Sequence, residues 1–341
     1  MTGWKAALAL VAMALMMGPL KAADPALVAA AKKEGEVIWY TTQIVNQLVR
    51  PVAAAFEKKY GIKVRATRAN ATETAVKILN EAKANRLQAD LFDGTTTVVP
   101  LKAENLVLQW LPDEAKAYPA QVKDPDGYWV ANNLFVITPG FNTSLIPKGK
   151  EPRTYQDLLN PSLRGKMAWN GFPTSSGGGG FIGTVLTEMG QEKGMVYLRE
   201  LAKQKIANLP GSAREVLDHV IGGEYSLALQ IFNHHAVISA KKGAPVDWIP
   251  MEPATVTLST LSVLKQAPHL NAAKLLADFI ISREGQEVFA RADYLPAHPE
   301  VPASVPTLKP DVGMFRAHFF TPEQTEENMP KWNVVLRDLF R

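Results

Sequence analysis

The sequence has 341 residues, which predicts two domains because single domains span roughly 100–200 residues. With 47% hydrophobic and 21% charged residues, it has a globular composition, which excludes disorder as the dominant state. The net charge of +4 includes no long basic tract, which argues against nucleic-acid binding, and the lack of cysteine excludes disulfides, thiol nucleophiles and thiolate metal sites.

The first 22 residues have the three-part layout of a secretory signal peptide. A positively charged start, Met1–Lys5, precedes the apolar run Ala6–Met17, and small residues at Ala22 and Ala23 offer a cleavage site. An apolar run of about 12 residues is too short to span a bilayer, which needs about 20. We therefore predict a cleaved periplasmic protein without stable membrane insertion; the alternative is an uncleaved amphipathic helix or a membrane anchor. We also expect the protein to be a monomer.

Helices and strands alternate in the first part of the mature chain. Apolar periodicity and glycine stops predict helices over 28–33, 48–60 and 72–85, and strands over 36–40, 62–67 and 89–92. Such alternation predicts an α/β fold with a parallel sheet that helices cover on both faces.

In sheets of this kind the ligand lies beyond the carboxyl ends of the strands. Hydroxyl groups and one cation follow the three strands, so we expect ligand contacts from Thr41, Thr42, Arg68, Thr95 and Thr96. Turn and helix-cap chemistry is the alternative for the threonines. For the arginine, the alternative is a simple surface position.

The middle of the chain predicts a second α/β unit joined to the first by two crossing strands. A strand over 134–142 contains Pro139-Gly140, which predicts a bend, and residues 255–264 form the return strand. We expect a discontinuous first lobe, 23–141 with 249–341 including a helix over 332–340, and a continuous second lobe, 142–248. A hinged pair of lobes with ligand in the cleft follows.

The most unusual stretch of the second lobe is rich in glycine and serine. A loop over 171–180, followed by a helix from 181, would expose backbone N–H groups to an anion at Ser175, Ser176, Gly177 and Gly178. A linker without ligand contacts is the alternative. The glycine spacing does not indicate a dinucleotide site, because no acidic residue ends a second strand about 20 positions on.

Two further positions in the second lobe are candidates for ligand contact. Ser212 and Arg214 open a helix with a capping box, and Asn233, His234 and His235 follow a strand. Two histidines without nearby acids are too few ligands for a metal site, so none is predicted.

Several long blocks of the sequence resemble one family. The segments LVAAAKKEGEVIWYTT, FEKKYGIKV, NEAKANRLQADLFDG, TYQDLLNPSLRGKMAWN, AKKGAPVDWIP and LNAAKLLADFIISREGQEVFA are similar to extracellular solute-binding proteins of the ferric-iron-transport type. The resemblance implies a type II periplasmic-binding fold, no cofactor, and delivery of a solute to an ABC permease and its ATPase. Members carry ferric iron, sugar phosphates, phosphonates, thiamine or polyamines.

The resemblance does not fix the ligand. The iron-binding branch ligates ferric ion with adjacent tyrosines, and the matching place here holds Asn233-His234-His235. The strand-end hydroxyls and the glycine-rich helix start, with little acid nearby, instead predict a small anion: an organophosphate, phosphonate or carboxylate. Ferric iron or another metal is the alternative, as is a sensor-accessory role. A secreted hydrolase is disfavoured, because the sequence lacks G-x-S-x-G, H-E-x-x-H and cysteine.

Overall fold

The computed structural model describes residues 23–171 and 176–340, so the predicted signal peptide and Ser175 lie outside the described residues. The helices there are α1 Pro25–Glu34, α2 Arg50–Tyr60, α3 Ala71–Lys83, α4 Val98–Ala103, α5 Ser176–Met189, α6 Gln191–Ala202, α7 Ala213–Ile221, α8 Asn233–Lys241, α9 Leu270–Ile281, α10 Arg283–Arg291, α11 Pro310–Gly313 and α12 Pro322–Leu339. None of these helices combines the length and the hydropathy that a bilayer crossing requires.

The strands of the same residues form one sheet. They are β1 Glu36–Thr41, β2 Lys63–Arg68, β3 Leu91–Gly94, β4 Val130–Asn142, β5 Met167–Trp169, β6 Ala207–Asn208, β7 Leu227–Phe232, β8 Val246–Trp248, β9 Ala254–Val263, β10 Leu295–Pro296 and β11 Ala317–Phe320. Their order is β2-β1-β3-β9-β4-β7-β5-β6; β8 and β10 pair with β4, and β11 pairs with β9.

Strands β4 and β9 are the crossing strands that the sequence predicts. They pair antiparallel from Val130 opposite Leu261 to Ile137 opposite Thr255. Strand β9 pairs with β3 of the first lobe, and the second half of β4 pairs with β7 and β8 of the second. These pairings confirm the mixed α/β architecture. Each crossing strand has a neighbouring strand along both of its edges.

The bend predicted at Pro139-Gly140 is a register shift in the pairing of β4 with β7, between Thr138 and Gly140. Proline has no N–H to give to a ladder, so a strand accommodates it at such an irregularity. A Cβ atom at Gly140 would lie 2.4 Å from Cδ1 of Ile231, so a larger residue there would displace that side chain.

Separate hydrophobic cores lie in the two lobes. The first contains Trp39, Phe56, Phe92 and Phe279, between β1, β3 and helices α2 and α9. On one face of the second lobe's strands, a second core gathers Trp169, Phe181 and Leu198. The opposite face packs Val216 and Val220 of α7 against β7. Burial on both faces explains why these strands read as continuous apolar runs.

The C-terminal segment corrects the expectation that 249–341 belongs with the first lobe. Helices α9 and α10 do pack into the first core. Helix α12 instead completes the second core through Trp332, Leu336 and Phe340. The helix also starts ten residues before the expected 332, with Thr321 as its N-cap. Its first turn still reaches the first lobe, where Trp129 Nε1 donates to Glu323 Oε1 at 3.0 Å.

Candidate ligand-binding cleft

At the carboxyl end of β1, two threonines meet a buried aspartate. The backbone N–H and the hydroxyl of Thr42 both donate to Asp93 Oδ1, at 2.9 and 2.8 Å, and Trp39 Nε1 donates to Oδ2 at 2.8 Å. Burial raises the pKa of Asp93, while hydrogen bonds from Thr41, Thr42 and Trp39 oppose that rise. The hydroxyl proton of Thr42 is thus committed within the lobe, and Thr41 is fully buried.

The threonines after β3 are arranged differently. Thr95 and Thr96 are half-buried in the turn between β3 and α4, and no other described side chain forms a hydrogen bond with their hydroxyls in this structure. Gly94 permits the turn: its φ is 156°, and a Cβ would lie 2.1 Å from Oγ1 of Thr97. Both hydroxyl groups therefore stay available to a ligand.

Arg68 is the cation of the first lobe's strand ends. It closes β2 in register with Thr41, it is exposed, and among residues 23–171 and 176–340 no carboxylate lies within ion-pair distance of it. Its charge lowers the pKa of Tyr294, which burial raises to about 12. Tyr294 lies beyond α10 and is nearly fully buried, so the phenol stays protonated at neutral pH.

The adjacent histidines follow β7, as expected, and they lie in the first turn of α8, which starts at Asn233. His234 is 2% exposed, and its ring centroid lies 5.7 Å from that of Tyr294 and 4.5 Å from that of His235. The Nδ1 atoms of both histidines are buried without a hydrogen-bond partner in the described structure. Asn233 faces the first lobe, where its Nδ2 donates to the carbonyl of Leu308 at 2.8 Å.

Burial keeps both imidazoles neutral. It drives the pKa of His234 well below its usual value, and the neighbouring His235 lowers it further. Burial also lowers the pKa of His235 to about 4, and the positive charge of Arg214 adds to that shift. At neutral pH these residues therefore offer uncharged nitrogen atoms, not positive charge.

Ser212 and Arg214 are largely engaged within the second lobe. The Ser212 hydroxyl accepts from Glu215 N at 3.3 Å, completing the predicted capping box of α7. Arg214 pairs with Asp218 at 2.6 Å and donates to Ser239 Oγ at 2.8 Å, tying α7 to α8. Its charge is therefore neutralised within the lobe, whereas that of Arg68 is not.

The glycine-rich stretch forms helix, which corrects the loop predicted up to residue 180. Ser176, Gly177 and Gly178 belong to the first turn of α5. A Cβ at Gly179 would lie 2.4 Å from Met329 Sδ, and one at Gly183 would lie 2.3 Å from Cζ2 of Trp332. Close packing of α5 on α12 thus accounts for these two glycines. The N–H groups in the first turn of α5 have no hydrogen-bond partner within the helix, but this is true of every α-helix.

The structure brings only part of the predicted set together. The ring of His234 lies against those of Tyr294 and His235, and Thr42 bonds to Asp93. Burial raises the pKa of Tyr294, and the charges of Asp93 and Arg68 act on it as well. No described contact links Thr95 or Thr96 to the second lobe. Asp93 and Tyr294 are absent from the predicted set. Asp93 could have been predicted, because it is an acidic residue that follows an apolar strand. The sequence around Tyr294 contains no pattern that indicates a ligand site.

Comparison with known proteins defines the class of this protein. Residues 89–314 match the family of bacterial extracellular solute-binding proteins, and the chain belongs to that family. This is a family of transport binding proteins, not of enzymes. An uncharacterized protein of Haemophilus influenzae is 26% identical over 286 residues, which cover 79% of each chain.

Two solved structures show the fold in closer detail. Iron-bound HitA from Pseudomonas aeruginosa is 22% identical, with a TM-score of 0.72 over 89% of this chain and 99% of that one. AfuA from Actinobacillus pleuropneumoniae, with fructose-6-phosphate bound, is 23% identical, with a TM-score of 0.73 over the same shares. Both share the type II periplasmic-binding fold, which confirms the predicted fold class and the family resemblance.

Proposed function

We propose that this protein captures a small anion in the periplasm and delivers it to the permease and ATPase of an ABC importer. The ligand class is an organophosphate, phosphonate or carboxylate. The main support for an anionic ligand is Arg68, whose exposed guanidinium group lies at the strand ends and has no carboxylate partner in the described residues. The parallel N–H donors of a guanidinium group are suited to bidentate binding of phosphate or carboxylate oxygens.

The remaining groups complete an anion site without competing charge. The hydroxyls of Thr95 and Thr96 and the phenol of Tyr294 are hydrogen-bond donors, and the neutral His234 and His235 can donate from a ring nitrogen. The carboxyl group of Asp93 is fully buried and receives several hydrogen bonds, which keeps its oxygens away from a ligand.

A metal ion, ferric iron included, is the second candidate. The neighbouring rings of His234 and Tyr294 favour it, since imidazole nitrogen and phenolate oxygen both ligate iron. Against it, the described residues contain no group of three or more His, Cys, Asp or Glu side chains that could hold a metal. The likeness to HitA and to AfuA does not decide, because one holds iron and the other a sugar phosphate.

The proposed mechanism is a two-state trap. Ligand that contacts both lobes stabilises the closed arrangement by binding it more tightly than the open one. The hinge strands β4 and β9 allow the lobes to rotate, and the permease then recognises the closed form.

Titration calorimetry of the mature protein tests this proposal directly. A panel of fructose-6-phosphate, methylphosphonate, citrate and ferric citrate is compared on wild type and Arg68→Gln. We expect binding of at least one metal-free anion, and a loss of about 10- to 100-fold in affinity when the charged hydrogen bonds of Arg68 are removed.

Arg65→Gln is the matched control, because Arg65 lies on the same strand but pairs with Glu36 at 2.6 Å, away from the strand end. It is expected to bind as wild type does. Binding of ferric citrate alone, with iron retained through purification, would contradict the anion proposal and favour the metal. Equal affinities of the Arg68 and Arg65 variants would remove Arg68 from the site.

A further inference from the structure

A second cavity lies on the other side of the hinge from the cleft. It has a volume of about 410 Å³, and its walls are mostly apolar, including Val122, Leu134, Ala297, Phe315 and Phe319. Pockets of a few hundred Å³ with apolar walls and few polar groups are typical of small-molecule sites.

The strand pattern separates this cavity from the cleft. Neighbouring residues on a strand point to opposite faces. Asn133 of β4 faces the first lobe's strand ends, since its Oδ1 accepts from Gln43 Nε2 at 3.0 Å. Leu134, the next residue, lines the cavity, as does Phe319 of β11 beside β9. The cavity therefore lies behind the crossing strands.

One buried cation stands in the apolar wall. Lys309 is 4% exposed and lines the cavity. Its ammonium group donates to the carbonyls of His298 at 3.2 Å and Val301 at 3.3 Å. An ammonium group has three N–H donors, so one remains. Burial lowers the pKa of Lys309. The charge of Asp311, an exposed residue that also lines the cavity, opposes this shift without forming an ion pair with Lys309.

A buried charge without a counter-ion is costly, and an anion beside it offsets that cost. Two backbone carbonyls hold the ammonium group in place but carry no full negative charge. Among the described residues no carboxylate forms an ion pair with Lys309, and the cavity that this residue lines has room for a small molecule. We propose that this cavity is a second binding site, which takes a small carboxylate with an apolar body and pairs it with Lys309.

The ligand class follows from the walls. The carboxylate meets the free N–H of Lys309, while an aromatic ring or a short aliphatic chain lies against Leu134 and Phe319. A phosphate or a sugar is a poor fit, because their many hydrogen-bonding groups would lose water against apolar walls without replacement. This site is independent of the ligand in the cleft.

The test uses benzoate as the probe and benzyl alcohol as its uncharged counterpart. Binding to the mature protein is measured by titration calorimetry and by saturation-transfer NMR. Wild type is expected to bind benzoate at least about tenfold more tightly than benzyl alcohol, since charge-assisted hydrogen bonds carry that preference.

Two variants locate the site. Lys309→Met removes the charge and retains an apolar side chain, and it is expected to abolish the preference for benzoate. Ala317→Leu fills the cavity while Lys309 stays, so it is expected to weaken both probes about tenfold. Arg68→Gln, in the cleft, is the control and is expected to bind benzoate as wild type does.

If thermal unfolding shows that Lys309→Met does not fold, Ala317→Leu still tests the proposal. No benzoate binding to wild type, or binding that Ala317→Leu leaves unchanged, would overturn the proposal. Loss of benzoate binding in Arg68→Gln would place the probe in the cleft and overturn it as well.

Discussion

His234 and His235 show how burial alters the chemistry of a residue. An exposed histidine pair beside an anion would carry partial positive charge near pH 6. Here burial lowers both pKa values, so the pair supplies neutral nitrogen atoms beside Tyr294. In the proposed anion site the positive charge then rests on Arg68, since Arg214 is paired with Asp218.

This burial predicts a pH dependence of stability that His235 helps to set. The folded protein keeps His235 neutral down to about pH 4, whereas the unfolded chain takes up a proton below about pH 6.5. The unfolded state thus binds more protons in that window, and stability falls as the pH drops from 6.5 to 4. The shift corresponds to about 3 kcal/mol at its lower end.

Urea unfolding at pH 7.5 and pH 4.5 measures the effect. His235→Gln cannot titrate, so its free energy of unfolding is expected to fall by about 2–3 kcal/mol less than that of wild type between the two values. The measurement at pH 7.5 controls for the cost of the substitution itself. Parallel profiles for the two proteins would contradict a buried neutral His235.

For single residues, the sequence indicates which of them lie at the strand ends but not which hydrogen bonds they form. Thr42 is predicted as a ligand contact because it follows a strand, and in the structure it does follow β1. That its hydroxyl proton goes to Asp93 depends on packing between β1 and β3, which chain order alone does not encode. Tyr294 lies far along the chain from these strands and reaches the cleft only through the fold.

Among the elements, the packing of α5 on α12 depends on two glycines one helical turn apart. Gly179 and Gly183 leave room for Met329 and Trp332. Glycine inside a helix costs about 1 kcal/mol relative to alanine, so its presence here points to a steric need.

Gly183→Ala is therefore expected to destabilise the protein by roughly 1–2 kcal/mol, because the clash with Trp332 exceeds the gain in helix propensity. Urea unfolding of the single variant and of Gly183→Ala in a Trp332→Leu background forms a double-mutant cycle. In that background the alanine should be neutral or stabilising. A destabilisation of the same size in both backgrounds would rule out Trp332 as the cause.

The elements are mostly predictable, with two instructive exceptions. Helix α7 begins directly after Ser212, as predicted, because Ser212 and Glu215 form a clear cap. Helix α5 begins five residues before its predicted start, since four glycines are typical of a loop. Helix α12 is predicted to begin after Pro330, but in the structure Pro330 lies inside the helix, on its exposed side. The proline removes one helical hydrogen bond, and the packing of Trp332 and Leu336 in the core outweighs that loss.

For the whole molecule, the hinge is more than two strands. Beside β4 and β9, helix α8 contacts the first lobe through Asn233, and Lys241 pairs with Asp293 at 2.9 Å. These contacts lie on the segment that also carries Tyr294, so lobe rotation and the arrangement of the cleft are expected to change together.

Small-angle X-ray scattering tests that expectation. Saturation with an anion identified by calorimetry is expected to reduce the radius of gyration of wild type, because closure brings the lobes together. The Arg68→Gln variant, at the same ligand concentration, should keep the value of the free protein. An unchanged radius of gyration for saturated wild type would contradict a trap that closes.

The position of α12 also bears on how the chain reaches this state. Phe181 and Leu198 belong to a core that Phe320, Trp332 and Leu336 complete, more than a hundred residues later. The second lobe therefore cannot complete this core while only residues 142–248 have been synthesised. Contacts this distant in sequence slow folding. Completion of the second lobe thus has to follow the synthesis of α12.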